Sequence, residues 1–212
     1  MHLRRLIFVF LVSSLLITFS FIQKGNVSAV DAPSILSSSI YQGDLILTGN
    51  NVTTIEGRFD INGSIIVKQN ATLVLRNALL NFTQKANYQY DMYFQSPANG
   101  NPRLLAENST ITASNFYMQI WFRGNSTATA QKFRTASGIL SWSFDSADLS
   151  ISSNSSLYHH EALESSKISV YNSTLDLVAH DSASAHVYDS VLPILQIGQT
   201  SVNCTICKLK PG

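Results

Sequence analysis

Charge is what this chain has least of: only 13% of its 212 residues are charged, and the formal net charge is +1. With no basic excess to meet a phosphate backbone, nothing in the balance points to nucleic acid. Long apolar runs are as scarce. The one such run, Leu6 to Ile22, follows Met1-His-Leu-Arg-Arg5 and precedes polar Gln23-Lys-Gly-Asn26, which is the order of a secretory signal. Val27-Ser-Ala29 offers small residues for cleavage after Ala29, and Val30-Asp-Ala32 is a second candidate. Left uncleaved, the run reaches the lower limit for spanning a bilayer and becomes an anchor, the chain's one expected membrane contact. Residues 1–29 are therefore expected to be a signal or anchor, and residues 30–212 a single domain outside the cell or on its surface. No stop-transfer or lipid-anchor pattern is readable near the C-terminus.

Cysteine is nearly absent as well. Cys204 and Cys207 are the only two, and in an oxidising compartment they are expected to pair as a local clip closing the last coil. A zinc site there would need two more ligands, and none is nearby. Gly-x-Ser-x-Gly is missing, and so is a Gly-rich phosphate loop. Helix signals are confined to a short polar stretch near His159 to Ser165, too brief to stand alone.

Strand signals fill the rest. Leu45-Ile-Leu-Thr48, Ser64-Ile-Ile-Val67, Thr72-Leu-Val-Leu75, Lys167-Ile-Ser-Val170 and Thr174-Leu-Asp-Leu177 are short, rich in Leu and β-branched residues, and bounded by Asn, Gly, Asp and Ser. Repeats then choose an architecture. Val170-Tyr-Asn-Ser-Thr-Leu175 matches Val187-Tyr-Asp-Ser-Val-Leu192, and Asn108-Ser-Thr-Ile111 resembles Asn125-Ser-Thr-Ala128. Asn62-Gly-Ser-Ile65, Asn70-Ala-Thr-Leu73 and Asn77-Ala-Leu-Leu80 spell a similar word at closer spacing. Units of this length read as solenoid coils stacked in register. The expected fold is all-β, a parallel β-helix behind the N-terminal segment, with a β-sandwich as the alternative. Gln84 to Asn101 breaks the rhythm and reads as an excursion from the coil, where binding tends to sit.

Ten of the sixteen asparagines stand in Asn-x-Ser/Thr, against about three or four by chance. They are Asn26, Asn51, Asn62, Asn70, Asn81, Asn108, Asn125, Asn154, Asn172 and Asn203. One explanation is N-glycosylation. The other is a structural corner: Asn tolerates a left-handed backbone and can ladder from coil to coil, so the word need not mean a sugar.

With Gly43-Asp-Leu-Ile-Leu47, Gly63-Ser-Ile-Ile-Val67 and Asn70-Ala-Thr-Leu-Val-Leu75, these units resemble right-handed parallel β-helix surface proteins of the pectate-lyase-like type over residues 40–207. The resemblance implies a scaffold shared by lyases, hydrolases, adhesins and structural proteins, so it leaves function open. Enzymes of that type carry clustered Asp pairs, Gly-His-Gly or Arg-x-x-Arg/Lys on one strand face, and none of these is found here.

Three groups of residues remain as candidates. Between Asp145 and Asp189 stand seven acids, one lysine and four of the five histidines. His160-Glu161 and His180-Asp181, about one coil apart, together with His186, are the candidate ligands for a divalent ion; no other cofactor is expected. Tyr88, Tyr90 and Trp121 are the candidates for stacking on sugar rings. The acids Asp145, Asp148, Asp176 and Asp181 would serve an alternative carbohydrate-active enzyme. The leading expectation is a non-catalytic, structural, adhesive or glycan-binding protein whose partner is a cell-envelope component or polysaccharide.

Overall fold

A computed structural model describes residues 34–95 and 100–198, together with the backbone of 201–209. Residues 1–29 lie outside this range. In chain order the strands are β1 Ser34–Gln42, β2 Leu45–Leu47, β3 Val52–Asn62, β4 Ile65–Lys68 and β5 Thr72–Phe82. There follow β6 Asp91–Gln95, β7 Arg103–Glu107, β8 Thr110–Thr112, β9 Met118–Arg123 and β10 Thr127–Gln131. Then come β11 Arg134–Thr135, β12 Ile139–Ser143, β13 Asp148–Ser152, β14 Ser156–Ala162 and β15 Lys167–Tyr171. The last are β16 Thr174–Ala179, β17 Ser184–Leu192, β18 Leu195–Ile197 and β19 Ser201–Leu209.

Each strand hydrogen-bonds in parallel to the equivalent strand of the next coil, which makes the chain a parallel β-solenoid and removes the sandwich alternative. Three faces result. The first runs through the early halves of β1, β3 and β5, then β7, β10, β13, β15 and the early halves of β17 and β19. The second takes the late halves of β1, β3 and β5, then β8, β11 and the starts of β14 and β16. The third stacks β2, β4, β6, β9, β12, the end of β14, the end of β16 and β18.

Alternation sends every second side chain inward, where like stacks on like. On the first face Ile55, Leu75, Ala106, Ala130, Ile151, Val170 and Val187 are all buried. On the third, Phe94 stacks on Phe122 with ring centres 4.9 Å apart. The stretch 159–165 is not helical: β14 runs to Ala162 and a turn follows.

Corners decide the composition. Where the first face turns into the second, Gly57, Asn77, Asn108, Lys132, Asn154, Asn172 and Asp189 have φ between 44 and 69°. The left-handed region costs Asn and Asp less than other non-glycine residues. Asn108 donates from Nδ2 to Oδ1 of Asn77 at 2.8 Å, a rung of an asparagine ladder. The residue after each of Asn108, Asn154, Asn172 and Asp189 is a buried serine. Ser173 Oγ accepts the backbone N–H of Ser155 at 3.2 Å and donates to the carbonyl of Tyr171 at 2.8 Å. Ser190 repeats this one coil later with Ser173 and Tyr188, as Ser109 does earlier with Ala78 and Glu107. The Asn-Ser word is thus a corner whose hydroxyl supplies the partner that the turning backbone loses. Ser173→Ala leaves the buried N–H of Ser155 unpaired and is expected to cost about 1–3 kcal/mol in chemical denaturation.

The 17 residues between the matched words Val170-Tyr-Asn-Ser and Val187-Tyr-Asp-Ser are one coil, since Val170 pairs with Val187 and Tyr171 with Tyr188. It is not the register of Asn108 and Asn125. Arg103 pairs with Thr127 and Thr110 with Arg134, so the two asparagines stand at different corners. Asn62, Asn70 and Asn77 likewise mark three corners of the same turn of chain. The excursion at Gln84 lengthens its coil to 31 residues.

Candidate functional site

The metal candidates do not converge. His160 faces the core of the third face and is fully buried. Its Nδ1 lies 2.9 Å from Ser141 Oγ, and its Nε2 lies 3.0 Å from Ser143 Oγ. Ser141 in turn donates to the carbonyl of His159, and Ser143 and Ser166 hydroxyls are 3.1 Å apart. Burial, with a smaller contribution from His159, depresses the His160 imidazole to about 3, so it is neutral. It pairs with Leu177, not with His180, because the coil here is shorter than the twenty residues separating the two histidines, and β14 is irregular between Leu157 and His160. His180 and His186 are exposed on other parts of the surface. Among the described residues no group of three or more His, Cys, Asp or Glu is placed to share an ion.

Asp181 belongs instead to a ladder at the corner between the third and first faces. Asp145 Oδ2 accepts the N–H of Gly124 at 2.9 Å, Glu164 Oε2 that of Asp145 at 2.9 Å, and Asp181 Oδ2 that of Glu164 at 3.4 Å. Asp145, Glu164 and Asp181 all have positive φ. Gln69 does the same for Gly49 near the start of the stack. Much of the acidity of the second half is therefore corner chemistry. Asp148 opens β13 on the first face, and Asp176 lies in β16, which belongs to the second and third faces.

Trp121 sits on the outer side of the third face, against Trp142 (4.8 Å between ring centres) and Phe144 (5.6 Å), with the Arg123 guanidinium 5.1 Å from its ring. Its stacking capacity is largely taken up within the protein. Nearby, Asp91 accepts the Tyr93 hydroxyl and the N–H of Gln119. Burial raises the Asp91 carboxyl, and burial together with Asp91 pushes the Tyr93 hydroxyl up to about 12. Tyr90 is half-buried and donates its hydroxyl to Asn62 Oδ1 at 2.7 Å, so it braces the coil.

Tyr88 is different. Its ring is 47% exposed and stacks on Tyr117, itself 44% exposed, at 6.0 Å and 27°. The excursion is stitched to the next coil to hold this pair. Tyr88 N–H donates to the Tyr117 carbonyl at 2.7 Å, Tyr117 N–H to Asn87 Oδ1 at 3.0 Å, and buried Gln84 Nε2 to the same Tyr117 carbonyl at 2.9 Å. Tyr88 holds its place with a left-handed φ of 58°, an unusual and strained state for an aromatic residue. Tyr117 also lines a surface cleft of about 470 Å³ with Asn81, Thr112, Ser114, Asn115 and Ser137, and no charged residue lines it. Asn81 is held there by Asp60 and Thr112.

No family model, no curated protein and no solved structure matches the chain.

Tyr88 was visible in the sequence; Tyr117, Asn115 and Ser137 were not. The break in the repeat at Gln84 is the signal that points to Tyr88. Its partner lies one coil later, inside a run that mixes inward and outward positions. The side chains of Asn203, Cys204 and Cys207 lie outside the described residues. The β19 backbone there pairs Cys204 with Val187 and Cys207 with Ser190.

Proposed function

We propose that this chain is a non-catalytic β-helix protein, secreted or held at the cell surface through residues 1–29, that binds saccharide at the Tyr88–Tyr117 cleft. The observation that carries the reading is an exposed tyrosine pair, one member of which, Tyr117, lines a neutral, hydrogen-bonding cleft. Aromatic rings cover the apolar faces of sugars, while amide and hydroxyl groups meet their hydroxyls. Asn115 and Ser137, which make no side-chain hydrogen bond among the described residues, are the groups available for this. The absence of charge among the residues that line the cleft favours a neutral glycan, and the partner is a polysaccharide or a glycan-bearing component of the cell envelope.

The test is a polysaccharide screen read both as binding and as product release, with and without divalent ions and chelator. Tyr88→Asn removes the ring yet keeps a residue that accepts the left-handed backbone, and it is expected to weaken binding roughly 3- to 10-fold, as is Tyr117→Ala. Undiminished binding by both variants would refute the site. Product release would refute the non-catalytic reading and turn attention to the acids of residues 145–189.

A further inference from the structure

The sequons differ in one respect that the sequence does not display: whether the asparagine amide and the hydroxyl two residues later are already engaged. N-glycosylation forms a bond between Asn Nδ2 and C1 of a sugar, with the hydroxyl of the Ser or Thr helping to orient the amide. Asn62, Asn70, Asn81 and Asn108 each donate Nδ2 to a neighbouring coil, to Gln42, Asn50, Asp60 and Asn77 respectively. Thr53, the hydroxyl of the Asn51 sequon, is 1% exposed. Thr127, that of the Asn125 sequon, donates to Asn101. Asn154 and Asn172 stand apart. Both are exposed at the left-handed corner, with φ of 62 and 44°. The intervening Ser155 and Ser173 turn inward, and Ser156 and Thr174 come back out. Neither these asparagine side chains nor these two hydroxyls make a hydrogen bond among the described residues. All four line one surface cleft of about 460 Å³, together with Arg134 and Asp189.

We infer that, among the sequons of the described residues, Asn154 and Asn172 are the N-glycosylation acceptors of the folded chain, and that the ladder asparagines are closed to modification once the coils have stacked. The co-reactant is a lipid-pyrophosphate-linked oligosaccharide, used by a membrane oligosaccharide transferase. The new bond is Nδ2–C1; the bond from C1 to the pyrophosphate oxygen breaks, and one amide proton leaves with the lipid pyrophosphate. The cleft is separate from the tyrosine site, so the inference does not depend on what binds there.

The experiment incubates the purified folded full chain with transferase and lipid-linked oligosaccharide, with a free sequon peptide in the same reaction as a marker of activity. Site occupancy is read by peptide mass mapping. Asn154 and Asn172 are expected to lead Asn70, Asn81 and Asn108 by about tenfold, the amount one retained hydrogen bond is worth. Chain unfolded before the reaction should lose this preference, and Asn154→Gln with Asn172→Gln should lower modification within residues 34–198 of the folded chain about tenfold. Equal occupancy of the ladder asparagines in folded protein would overturn the inference, as would unmodified protein beside modified peptide.

Discussion

Gly63→Ala is expected to lower the thermal unfolding midpoint by roughly 10 °C, a large effect for one added methyl group. Gly63 is buried at the corner between the second and third faces, and a Cβ there would run into the Gly43 carbonyl and come within 2.9 Å of the Asp44 amide nitrogen. All of these obstacles are backbone, so no side chain can rotate away. The corner is also fixed from outside, because Asp44 Oδ1 accepts the N–H of Ser64 at 2.8 Å. Relief would require parting two coils, and overpacking that displaces backbone belongs at about 3 kcal/mol or above. Gly57→Asn is the control. Gly57 has φ of 69° and open space around its Cα, and Asn77 occupies the same corner in the next coil. Calorimetry of the two variants separates them; a Gly63→Ala midpoint as high as that of Gly57→Asn would sink the argument.

Acid should loosen the protein through one imidazole. The unfolded chain takes a proton on His160 near pH 6.5, whereas the folded chain refuses it down to about 3. Between these values the unfolded state holds one more proton, so acid favours unfolding. The contribution is complete above pH 6.5 and is lost progressively below it, at about tenfold in the folding constant per pH unit. Free carboxylates titrate mostly below about pH 5, which leaves roughly pH 6.5 to 5 as the clean window. His160→Gln keeps a hydrogen-bonding group beside Ser141 and Ser143 but cannot titrate, and its stability should fall less steeply with acid across that window. Urea midpoints measured at several pH values decide the matter, and equal slopes for the two proteins would exclude His160 as the source.

These two residues show where sequence reading succeeds and where it stops. The parallel coil is legible because β-strand alternation and the Val-Tyr-Asn-Ser word at the end of the chain are local signals repeated at constant spacing. The corner role of Asn-Ser is legible for the same reason. The register of the middle coils is not. Asn108-Ser-Thr and Asn125-Ser-Thr look alike, yet one turns the first face into the second and the other leads back into the first. Coil length changes between them, and no local feature announces the change. Without that register, His160 and His180 line up in the sequence as neighbours in a stack. Once β14 is paired with β16, one is a core residue and the other a turn residue. The tyrosine cleft is half legible: an excursion is visible as a lapse in pattern, but the ring it rests on is chosen by a neighbour in space.

The coils run from 31 residues at the excursion to 17 near the end, yet strands on all three faces keep parallel register. Length is free and punctuation is fixed. A lap of chain can therefore be lost or duplicated between two equivalent corners, and what remains still joins like to like. For such a molecule the whole lap, more than the single residue, is the natural unit in which lineages can lengthen, shorten or exchange surface.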